Sequence, residues 1–123
     1  YRASETHRVP EVEALIDWLP RHVPADDGWS TLVHGDYRLD NVMFHPVEDR
    51  AIGVLDWELS TLGHPFADVA YQCAQWRFPH DAPLMPGLGG VDRAALGIPT
   101  EAEYVAAYCR RMRLEGIANW NFY

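Results

Sequence analysis

Val12, Leu15, Ile16 and Leu19 recur at the spacing of one helix face, which predicts a helix over about Glu11–Leu19. Pro10 suits its first turn, and Pro20 is placed to end it. The polar stretch from Pro24 to Gly28 leads into a short apolar run, Thr31–Val33, and two further runs, Val42–His45 and Ala51–Leu55, read as strands. The turn formers between them, Pro46 to Arg50, join these two as a hairpin. Pro65 opens a second helix, about Phe66–Arg77, with Phe66, Val69, Ala70, Cys73 and Ala74 on one face. From Pro79 to Pro99 proline and glycine are frequent and no period survives, which predicts a long surface loop. Thr100 followed by Glu103 is a capping-box pattern, and Tyr104, Val105, Tyr108 and Met112 carry a third helix to about Leu114. Helices around a short hairpin predict an α+β domain.

At 123 residues the chain is long enough for one domain with a core and too short for two. With 48% hydrophobic and 23% charged residues it has the mixture of a globular protein rather than a disordered one. No apolar run approaches the roughly 20 residues of a membrane span, and the polar opening Tyr1–Arg8 is not a secretory signal. A net charge of −8 argues against a nucleic-acid surface. The basic cluster Arg110-Arg111-Met112-Arg113 falls late on the third helix, where cations complement the helix dipole. Cys73 and Cys109 sit in helical apolar patterns and read as buried thiols, which points to a cytoplasmic protein. The first residue is not methionine and the last four, Trp120 to Tyr123, are mostly apolar, so the chain reads as a piece of a longer polypeptide.

The candidate chemistry lies in His34-Gly-Asp-Tyr-Arg-Leu-Asp-Asn41 and in Asp56-Trp57-Glu58. A hairpin turn centred between Glu48 and Asp49 sets Asn41 opposite Asp56, so that an amide oxygen and a carboxylate converge at one sheet end. These are hard oxygen ligands of the kind Mg²⁺ takes alongside waters and phosphates. Asp36, on an irregular loop, lies within reach of a substrate beside such an ion. A carboxylate there accepts the proton of an attacking hydroxyl while cations neutralise a phosphoryl group in transfer. Taken singly, the same residues have plainer explanations. His34 suits a satisfied core histidine, Asp36 a turn former, Asp56 a strand end, and Glu58 either a neighbour of the metal or a solvent-facing residue. Trp57, Trp76 and Trp120 read as packing residues. The ordered set over His34 to Asp68 is what chance spacing explains poorly.

His34-x-Asp36-x-x-x-x-Asn41 is similar to the catalytic loop of protein kinases, with Asp56 where their metal-binding Asp-Phe-Gly begins. The His34-Gly35-Asp36 form, with Asp56-Trp57-Glu58 and then Gly63-His64-Pro65 and Asp68, resembles the aminoglycoside phosphotransferase family and its choline-kinase-like relatives. Leu55–Leu59 and Asp68–Tyr71 look closest to the phosphotransferase domains found beside acyl-CoA dehydrogenases. The resemblance covers about Thr31 to Phe78. It implies a protein-kinase-like C-terminal lobe, ATP as phosphoryl donor and Mg²⁺ as cofactor. It makes Asp36 the catalytic base, Asn41 and Asp56 the metal ligands, His34 a buttress of the loop, and Asp68 an acceptor of backbone hydrogen bonds from that loop. Arg38 takes the place of a kinase lysine near the γ-phosphate, although a surface arginine explains it equally well.

Such families bind ATP between two lobes, and the N-terminal lobe supplies a phosphate-binding lysine. All ten basic residues of this chain are arginines. Residues 1–123 therefore read as a partial C-terminal lobe, partnered by an N-terminal lobe of the same polypeptide. The implied acceptor is a small-molecule hydroxyl (an aminoglycoside, a choline-like alcohol or a hydroxyacyl thioester, with the dehydrogenase resemblance favouring the last). Its contacts are expected in Pro79–Pro99 or later. Two other readings stay open: a catalytically inactive kinase-like binding module, and a metal-dependent phosphoesterase built on His34, Asp36, His45 and Asp56.

Overall fold

The computed structural model describes residues 6–123. Helix α1, Pro10–His22, begins where the first proline allows it and runs through Pro20 instead of stopping there. Pro20 falls in the last turn, where only one backbone bond is at stake. The Trp18 carbonyl near that end is taken by His22 Nδ1 at 2.8 Å, and the two rings stack. No α1 residue is buried, and Leu15 of its apolar face is 50% exposed.

Strand β1, Thr31–Val33, pairs with a strand the hydrophobic pattern does not reveal, β4, Thr61–Gly63. Between them lies the hairpin of β2, Val42–Phe44, and β3, Ala51–Val54. Its register pairs Val42 with Val54, and a bulge past Met43 then pairs Phe44 with Ala51. The expected pairing of Asn41 with Asp56 is therefore wrong by one residue. Asn41 faces Leu55, whose N–H donates to the Asn41 carbonyl at 2.8 Å. The turn is closed by a His45 N–H to Arg50 carbonyl bond at 2.9 Å, and His45 Nδ1 accepts from the Val47 and Glu48 N–H groups.

Helix α2, Phe66–Cys73, continues as a 3₁₀ turn, Ala74–Trp76, close to the expected length. Its positions Phe66, Val69 and Cys73 are buried together with Val33 and Cys109 and form the small core. Burial of side chains of this size contributes about 1.5–3 kcal/mol each for the larger ones. It also raises the Cys73 thiol to about 11, so that thiol stays protonated and unreactive. Neither cysteine is in a disulfide.

The segment from Pro79 to Pro99 is irregular, as expected, but it is fastened to the end of α2. Leu88 N–H donates to the Gln75 carbonyl at 2.7 Å and Gly89 N–H to the Phe78 carbonyl at 2.8 Å. Helix α3, Glu101–Met112, opens with the expected capping box. Glu103 N–H donates to Thr100 Oγ1 and Thr100 N–H to the Glu103 carboxylate. It ends at Arg113 in a left-handed conformation. α3 packs on α2 through Trp76 against Tyr104 and through a Tyr104 hydroxyl to Gln72 hydrogen bond. Among the described residues no helix is long and apolar enough to cross a membrane.

Candidate active site

Asp36 sits on the loop between β1 and the 3₁₀ turn Leu39–Asn41. That loop is held from three directions. From α2, the Asp68 carboxylate accepts from the His34 N–H at 2.7 Å and from the Gly35 N–H at 3.0 Å. From inside, His34 is 2% exposed and uses both ring nitrogens. Nε2–H donates to the Leu55 carbonyl at 2.7 Å, and Nδ1 accepts from the Asp36 N–H at 3.2 Å. From the 3₁₀ turn, buried Asn41 donates through Nδ2 to the Asp36 carbonyl at 2.9 Å and to Asp36 Oδ2 at 3.0 Å. One histidine thus spans the Asp36 loop and the residue before Asp56.

The Asp36 carboxylate is held at both oxygens. Oδ1 accepts from the Tyr71 hydroxyl at 2.7 Å, while Oδ2 takes the Asn41 amide and lies 3.4 Å from Arg38 Nε. The Tyr71 bond is the largest influence on its acidity. With the Arg38 charge and the Asn41 amide it keeps the carboxyl below the usual carboxylate range, against the opposing effect of partial burial. The same bond raises the Tyr71 phenol. Asp36 is therefore an ionised acceptor at neutral pH, already aimed.

Asn41 spends its amide nitrogen on Asp36, which leaves Oδ1 as the end free for a cation. Asp56 follows Leu55 in a left-handed conformation, φ 64 and ψ 55, and its carboxylate is exposed with no hydrogen-bond or ion-pair partner among the described residues. Left-handed backbone costs a non-glycine residue about 1–2 kcal/mol. The departure also breaks the strand alternation at this point. The two expected oxygen ligands therefore stand at the same end of the hairpin, by a route different from the cross-strand pairing expected of them. One amide oxygen and one carboxylate suit Mg²⁺, which fills the remaining positions with water and phosphate. Among the described residues no group of three or more His, Cys, Asp and Glu is arranged to hold a metal. The set His34, Asp36, His45 and Asp56 is not assembled: both His34 nitrogens are engaged, and His45 lies at the opposite end of the hairpin from Asp56.

Arg38 is half-exposed, within 3.9 Å of Asp40 as well as close to Asp36. It also lines a cavity of about 600 Å³ with Leu39, Trp76, Leu84, Leu88 and Tyr104. Glu58 is exposed, and Trp57 leans on His34 with ring centroids 4.7 Å apart. Two site features were not singled out from sequence, although each had a signal. Tyr71 lies three residues after Asp68, so a helix that aims one at the loop aims both. Gly35 takes φ +85 directly beneath Leu59.

Asp68 yields a direct test. Asp68→Asn keeps the shape but turns an amide toward one of two N–H donors. The expected loss is about 1–3 kcal/mol, read as a lower urea midpoint, together with lower turnover. Unchanged stability would remove the bracing role.

The sequence model described as "Phosphotransferase enzyme family" matches residues 1–113. Acyl-CoA dehydrogenase family member 10 of Mus musculus is 53% identical over 123 residues, which is all of this chain and 11% of that protein. Acyl-CoA dehydrogenase family member 11 of Rattus norvegicus is 42% identical over 124 residues, again all of this chain and 16% of that protein. The crystal structure of a Ralstonia eutropha JMP134 protein, named as a candidate aminoglycoside phosphotransferase, superimposes with a TM-score of 0.90 at 50% identity. The match covers 99% of this chain and 37% of that one. The fold is thus the protein-kinase-like α+β arrangement of that protein, and the chain spans a small part of the length of each relative.

Proposed function

The chain belongs to the phosphotransferase enzyme family, and on that premise we propose that it carries the base and the cation-holding residues of a small-molecule kinase site. The observation that carries this reading is the Asp36 carboxylate, ionised and held at both oxygens by Asn41 and Tyr71. In the whole protein an acceptor hydroxyl gives its proton to Asp36 as its oxygen bonds to the γ-phosphorus of ATP. The bond from that phosphorus to the ADP oxygen breaks, and ADP leaves with the electron pair. Asn41 Oδ1 and the Asp56 carboxylate would hold Mg²⁺. When bound, that ion supplies charge neutralisation for the phosphates. Arg38, close enough to the base to face the same phosphoryl group, adds a fixed positive charge. His34 and Asp68 hold the loop in place. The nucleotide's other contacts come from an N-terminal lobe in the same polypeptide.

The acceptor site in this reading is the cavity beside Arg38 and Leu39. Its walls, Trp76, Leu84, Met85, Leu88 and Ile98, come mainly from the expected loop and the end of α2 and are largely apolar. Asp40 is its one carboxylate, and that side chain is 82% exposed. An apolar wall with a single acid suits a hydroxyacyl group better than a polycationic sugar, in keeping with relatives named for acyl-CoA dehydrogenases. The test is ATP consumption by the whole protein with Mg²⁺ across hydroxyacyl thioesters, choline-like alcohols and aminoglycosides. Turnover with the hydroxyacyl compounds is expected, while residues 1–123 alone should show none. No turnover by the whole protein with any of them would favour an inactive binding module, and robust turnover by residues 1–123 would refute the two-lobe architecture.

A further inference from the structure

We propose that Tyr71 is a positioning residue for phosphoryl transfer, its hydroxyl fixing the Asp36 carboxylate in the orientation from which it accepts the substrate proton. This rests on the reading of Asp36 as the base. The backbone of Asp36 is already fixed by Asn41 and His34, through its carbonyl and its N–H. Those bonds leave the side chain free to turn about two torsions. A carboxylate tied at one oxygen still swings about that point, whereas one tied at both does not. The Asn41 amide takes Oδ2, with Arg38 at 3.4 Å from the same oxygen, and among the described residues Tyr71 alone takes Oδ1.

Each carboxylate oxygen accepts about two hydrogen bonds. Oδ1, with one donor, is thus the oxygen with room for an incoming hydroxyl, and Tyr71 decides where its remaining lone pair points. The phenol keeps its own proton throughout. It is also well suited to hold a position, because a tyrosine ring has two torsions and its body packs in α2, one helical turn from Asp68. α2 therefore grips the loop twice, by backbone through Asp68 and by side chain through Tyr71. A tyrosine placed only for packing has no need of this partner. Tyr71 is not fully buried, and water would satisfy its hydroxyl.

The experiment uses the whole protein and has two arms. In the first, turnover is measured with Mg·ATP and the hydroxylated compound found by the acceptor panel, for Tyr71→Phe, Asp36→Asn and the double variant. Tyr71→Phe is expected to lower kcat by about 10- to 100-fold, the scale of a misplaced catalytic group, with the KM for ATP changed less than about twofold. The double variant should be no slower than Asp36→Asn, because Tyr71 acts only through Asp36. Additive losses, or a loss confined to KM, would overturn the proposal. The second arm needs neither nucleotide nor acceptor. 3-Fluorotyrosine is placed at position 71 and its ¹⁹F resonance compared with and without Asp36→Ala. A clear shift is expected, and an unmoved resonance overturns the proposal. Should the panel show no turnover, the kinase reading fails on its own and the ¹⁹F arm alone decides whether Tyr71 holds Asp36.

Discussion

Asp36→Asn in the whole protein should lower kcat for phosphoryl transfer by about 10²–10⁴-fold, the usual contribution of a positioned general base. The replacement is nearly isosteric and tests chemistry more than packing. An amide at this position still offers one oxygen to the Tyr71 hydroxyl, but its NH₂ then faces the Asn41 amide, donor against donor. It has no charge for Arg38 and no basic oxygen for the substrate proton. Because proton acceptance matters in the transition state and not in the bound ground state, kcat and kcat/KM should fall together, with the KM for ATP little changed. Steady-state kinetics against Mg·ATP and a saturating acceptor read both quantities. A variant that kept more than about a tenth of the rate would remove Asp36 from the role of base. The size of the loss also separates two sources of rate. What survives measures positioning and charge neutralisation by the other groups, which dominate phosphoryl transfer in general.

Much of this site was legible in the sequence because its residues are local. His34, Asp36 and Asn41 lie on one short loop, and the capping box of α3 is a four-residue signature that side-chain chemistry alone specifies. The three helices follow from hydrophobic spacing. Pro20 misled because proline forbids a helix only where the lost N–H bond and the preceding turn matter, and α1 ends two residues later. β4 was invisible for a different reason. Thr61–Gly63 is three residues long with two of them exposed, so it carries no alternation and exists only through its pairing with β1. The hairpin register was misjudged because the turn was centred on its polar residues. His45 Nδ1 gathers the Val47 and Glu48 N–H groups, which moves the centre of the turn toward β2. The bulge after Met43 then restores one of the two residues lost. Neither event has a sequence period. Tyr71 was legible in principle from its spacing to Asp68, but only once α2 was known to face the loop.

Gly35→Ala should cause the largest loss of stability of any single methyl added to this chain's candidate catalytic loop, and should abolish turnover with it. Gly35 has φ +85, where an alanine costs about 1–2 kcal/mol before any contact is considered. Its added Cβ would then lie 2.5 Å from the Leu59 carbonyl oxygen and 3.1 Å from the carbonyl carbon, and backbone atoms cannot swing aside as a side chain does. Relief requires the loop to move off the 3₁₀ turn Trp57–Leu59. That motion pulls the Gly35 N–H from Asp68 and strains the His34 bridge to Leu55, so the candidate base and Asp56 lose their common anchor. A total above about 2 kcal/mol is expected, the range of strained backbone together with a broken buried network. Gly28 and Gly97 supply the comparison. Both have positive φ, +75 and +69, yet a Cβ at either meets nothing within 4 Å. Alanine there should cost only the conformational share, about 1 kcal/mol, and leave turnover intact. Urea midpoints of the three variants of the whole protein decide the matter. Gly35→Ala no less stable than Gly28→Ala would show that the approach to Leu59 is not what fixes the loop.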